Sequence, residues 1–82
     1  MEMKSEEQMR ERVSKDIRMF YQNMGKVSSF GSDKRILKVV EMAKMYASDA
    51  RSYMEKGDMY TAFSCISYAH GLLDAIIALG TQ

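Results

Sequence analysis

The chain has 82 residues, with twelve Lys or Arg, eleven Asp or Glu, one His, one Cys and no Pro, for a net charge of +1. Near-neutrality removes any general pull toward nucleic acid or an acidic membrane surface. One cysteine excludes an intrachain disulfide, and one Cys with one His falls short of the about four ligands that a zinc site needs. No metal or other cofactor is expected.

A domain this small buries only roughly 60% of the surface its unfolded chain exposes, so helix packing, self-association or both must hold it together. Charge is unevenly spread. Residues 1–26 carry six basic and five acidic side chains and residues 33–56 carry six and four, whereas residues 57–82 carry only Asp58 and Asp74. The first two thirds are dressed for water and the last third is not. The start, Met1 to Glu7, is polar and acidic and has none of the features of a signal peptide. Met59 to Leu79 is long enough to cross a bilayer, but Tyr60, Thr61, Ser64, Ser67, Tyr68, His70 and Asp74 make it too polar for a lone span. A soluble cytoplasmic protein with no membrane partner is the expectation, and the unpaired Cys65 agrees with a reducing compartment.

In chain order, the first predicted helix covers about 5–24. Ser5-Glu6-Glu7-Gln8 has the form of a capping box, and Met9, Val13, Ile17, Phe20 and Met24 fall at steps of four, four, three and four. Residues 25–33 read as a loop, since they hold Gly25, Gly31 and four serine or aspartate residues. The second helix covers about 33–56, with its cap at Ser32 or Asp33. Ile36, Val40, Ala43, Ala47, Ala50 and Met54 form one stripe, and Val39, Met42, Tyr46 and Tyr53 form a second beside it. Gly57-Asp58 is the strongest local signal: glycine can end one helix in the left-handed conformation, and aspartate caps the next. So short a connection makes the second helix and a third over about 59–79 an antiparallel hairpin. The fold class is all-α, a three-helix bundle forming one domain over 1–82.

Two faces of the third helix attract attention. Met59, Phe63, Ile66, Leu73 and Ile77, widened by Ala62, Ala69 and Ile76, make the core side. Ser64, Ser67, Gly71, Ala75 and Ala78 on the other side are small. Gly71 costs roughly 1 kcal/mol relative to alanine in mid-helix, and the close approach of another backbone is the natural compensation. That ridge is the candidate oligomer face.

The candidate functional face gathers Tyr46, Asp49, Tyr53, Tyr68, His70 and Asp74. His70 and Asp74 are four apart, so the carboxylate can orient the imidazole. The pair lacks a nucleophile, however, and the plain reading is a histidine satisfied locally. Tyrosines offer contact area with a polar tip and suit a ligand or peptide, although they equally edge a small core. Lys34, Arg35 and Lys38 at the start of the second helix suggest an anion site, but no aromatic is interleaved among them to stack bases. Cys65 carries no motif, and its default role is that of a small buried hydrophobe. Most of the nine methionines lie on or beside the stripes. Met19 and Met45 fall off them and are better placed for a partner surface.

The hairpin resembles a known family. Ala47-x-x-Ala50, then Tyr53-x-Glu55-Lys56-Gly57-Asp58-x-x-x-Ala62-Phe63, then Tyr68-Ala69-His70-Gly71-Leu72-Leu73-Asp74-Ala75 is similar to the archaeal family called domain of unknown function 357. The likeness spans roughly 43–79. It implies a small helical bundle from an archaeal cytosol and implies no activity. A looser likeness to one tetratricopeptide-type hairpin stops at a single repeat, fewer than such arrays need.

These readings together predict a non-enzymatic helical interaction or scaffolding module with no catalytic residues, self-associating as a homodimer and open to a further protein partner. Two alternatives of other classes stand beside it. One is a small-ligand-binding or enzymatic module using the His70/Asp74 face. The other, which the charge balance disfavours, is a nucleic-acid-associated protein using Lys34, Arg35 and Lys38 with Arg10, Arg12 and Arg18.

Overall fold

The computed structural model describes the backbone of residues 2–30 and 33–80 and the side chains of residues 6–27 and 33–79. Three helices, α1 (Glu2–Met24), α2 (Lys34–Glu55) and α3 (Met59–Gly80), follow one another, with a short 3-10 segment, Gly25–Phe30, between the first two. No strand occurs among the described residues.

The ends of the elements follow from identifiable residues. α1 begins at Glu2, upstream of the expected cap at Ser5. Glu2, Met3 and Lys4 are good helix formers and nothing there breaks the backbone. The expected loop over 25–33 instead opens with the 3-10 segment, because Val27 lies three residues after Met24 and continues the apolar stripe of α1 into the core, where it is 5% exposed. Gly31 and Ser32 lie outside the described residues. Of the two proposed caps for α2, Asp33 does the work: its carboxylate accepts from the backbone N–H of Arg35 at 3.0 Å and of Ile36 at 3.5 Å.

The turn between α2 and α3 has the glycine-dependent geometry expected of it. Gly57 has φ +89°, its N–H donates to the Met54 carbonyl at 3.0 Å, and the Asp58 N–H donates to the Tyr53 carbonyl at 2.9 Å. These two bonds close the end of α2, and the Asp58 carboxylate then accepts from the Thr61 N–H at 3.1 Å to open α3. Two residues thus reverse the chain, and α2 and α3 share the most extensive contact in the molecule.

That contact is close because small residues line it. Ala43, Ala47 and Ala50 of α2 and Ala62 and Ala69 of α3 are completely buried. The bulk of the core comes instead from α1 and α3, whose Val13, Phe20, Ile66 and Leu73 are the largest fully buried side chains. Burying each stabilises the fold by roughly 1.5–3 kcal/mol.

α1 packs on its own hairpin, parallel to α3 and antiparallel to α2. Arg12 sits over the Phe63 ring at 5.8 Å, Phe20 meets the His70 ring edge-on at 5.9 Å, and Arg10 donates to the Met54 carbonyl at 3.4 Å. This register leaves the first turns of α1 beyond the Gly57 turn, and residues 6–12 are all exposed. The overhang explains a longest dimension of 47 Å against the about 33 Å of a 22-residue helix.

Candidate functional site

α1 divides the surface of the hairpin into a front and a back. On the front, residues of α2 and α3 that meet α1 include Arg51, Met54, Phe63 and His70. A helix turns about 100° per residue, so Val39, Met42 and Tyr46 of α2 and Cys65, Tyr68 and Leu72 of α3 fall on the opposite flank. The candidate functional face therefore divides. His70 and Asp74 belong to the front groove, while Tyr46, Asp49, Tyr53 and Tyr68 belong to the back.

In the front groove the half-buried His70 donates through Nε2 to the backbone carbonyl of Asp16, 2.8 Å away on α1. A carbonyl only accepts, so Nε2 carries the proton. Asp74 is exposed and makes no hydrogen bond to the ring. The expectation of a histidine satisfied locally is not met: the partner of Nε2 comes from a neighbouring helix and not from the residue four positions on. Asp16 in turn pairs with Arg12 at 3.6 Å, with the Arg12 side chain two-thirds exposed. Ser67 and Gly71 also border this groove. No cluster of three or more His, Cys, Asp or Glu suited to a metal occurs among the described residues.

On the back, the Tyr46 and Tyr68 rings meet edge to face at 4.6 Å, and Lys56 lies 5.4 Å from the centre of the Tyr53 ring. Cys65 is half-buried between the helices. Burial, then the carboxylates of Asp49 and Asp58, push its thiol above the usual range and lower its thiolate fraction at neutral pH. At the open end of this flank, Ile36, Val39, Ala75, Ile76 and Leu79 border an apolar hollow of about 540 Å³ with Asp33 and Arg35 at its rim.

The proposed oligomer ridge lies along the outer edge of α3, where Ser64, Ser67, Gly71, Ala75 and Ala78 are all exposed. Ser64 Oγ donates back to the Tyr60 carbonyl at 3.2 Å. A Cβ added at Gly71 meets nothing within 4 Å, so no close backbone approach within the chain compensates for the glycine. The off-stripe Met19 and Met45 are 40% and 64% exposed.

The basic residues are dispersed. The start of α2 is occupied by the carboxylate of Asp33, which also lies 3.7 Å from Arg35. Arg10 and Arg12 face the hairpin turn region, and Arg51 stacks over Tyr21 at 5.9 Å.

Sequence reasoning missed two contributors to this arrangement. Val27 was legible, since it extends the three–four spacing of α1 by one step. The Asp16 carbonyl was not, because a main-chain acceptor in mid-helix leaves no mark on residue type.

The fold and its surfaces define a small all-α protein built on a tight α2–α3 hairpin with one helix laid across its front. Residues 15–82 match the model of a family described as protein of unknown function, DUF357, and the chain belongs to that family. The match reaches well beyond the hairpin signature, back into the half of α1 that packs on it. No curated protein matches the chain.

Proposed function

We propose that the protein is a non-enzymatic helical interaction module that self-associates. The observation that carries this reading is the state of α3. Met59–Leu79 is long and mostly apolar, and 28% of its most apolar window is buried within the chain. Large apolar side chains left exposed on a small domain support a contact site. Tyr60, Tyr68 and Leu79, at 80%, 50% and 61% exposed, stand out of α3. The same helix is long enough to cross a membrane, but its hydrogen bond from His70 to α1 and its exposed Asp74 favour a protein neighbour in water.

The rival functions find less support. His70 is spent on the Asp16 carbonyl, and Asp33 already fills the helix end where Lys34, Arg35 and Lys38 suggested an anion. The test is molar mass by light scattering across a dilution series. A mass near twice 9.4 kDa that falls on dilution is expected. A mass of one chain at every concentration removes the reading.

A further inference from the structure

We draw no further inference here: the strongest candidate, the apolar hollow of about 540 Å³ between Ile36 and Val39 of α2 and Ala75, Ile76 and Leu79 of α3, carries nothing because its rim offers the opposed charges of Asp33 and Arg35 and nothing in the structure shows what covers it.

Discussion

The two flanks of the α2–α3 hairpin are built from similar residue types and meet opposite fates. The front is closed by α1, which drives Val13, Ile17 and Phe20 to between 0% and 3% exposure and ties His70 to the Asp16 carbonyl. The back holds Tyr46, Tyr68, Met42 and Leu72 at the same helical spacing, and no helix lies over it among the described residues. The comparison teaches that an apolar stripe identifies a side that avoids water but not the element that covers it. With three helices, a hairpin has a cover for one flank only.

The largest effect that probes this contrast is expected at Phe20. Phe20→Ala removes the fully buried ring that seats α1 and should cost about 3–5 kcal/mol, read as a drop in the urea midpoint. Tyr46→Ala on the back, half-buried against Tyr68, should cost less than half as much when measured on the monomer. Equal costs would mean that the back is as closed as the front.

His70→Gln comes next. Losing a short bond between helices should cost about 1 kcal/mol, seen as a lower melting temperature. A structural strap predicts that loss, whereas a histidine kept for binding or catalysis predicts unchanged or raised stability.

Gly71→Ala should act in the opposite direction. The site is helical and open, so alanine should raise stability by up to about 1 kcal/mol and leave the proposed self-association unaffected. Loss of self-association on adding this methyl group would show that the ridge is the packed surface.

The smallest effect concerns Asp58. The Thr61 backbone N–H, helped by the Thr61 side chain, holds this exposed carboxylate below its ordinary range. A carboxylate with a lowered folded value stabilises above its unfolded value, about 3.9, and loses that contribution as pH falls through the folded value. The melting temperature should therefore decline in acid below about pH 4. Asp58→Asn, which keeps a capping oxygen, should flatten that decline slightly.

Much of this architecture was legible before any coordinates. The four-and-three steps of Ile36, Val40, Ala43, Ala47, Ala50 and Met54 identify the core side of α2, and all four of its buried residues, Val40, Ala43, Ala47 and Ala50, come from that list. Gly57-Asp58 specifies the reversal, since a positive φ and a capping carboxylate are properties of those residue types. The candidate site was less legible. Tyr46, Asp49, Tyr53 and Tyr68 do come together, but His70 and Asp74, grouped with them by helix and spacing, lie across α3 in another groove. Tyr68 and His70 are two positions apart, and about 200° of helix rotation separates them.

Residue order alone determined the local matters: three helices, the cap at Asp58, the glycine turn, and an α3 with almost no charge. Each depends on neighbours within one or two turns of backbone, where side-chain shape and hydrogen-bonding capacity act directly. The tertiary structure decided which flank α1 covers, that His70 meets a main-chain carbonyl on another helix, that Gly71 faces open space, and that no described helix covers the back of the hairpin. Those outcomes depend on how helices distant in sequence share a limited amount of covering surface, and no local pattern carries that information.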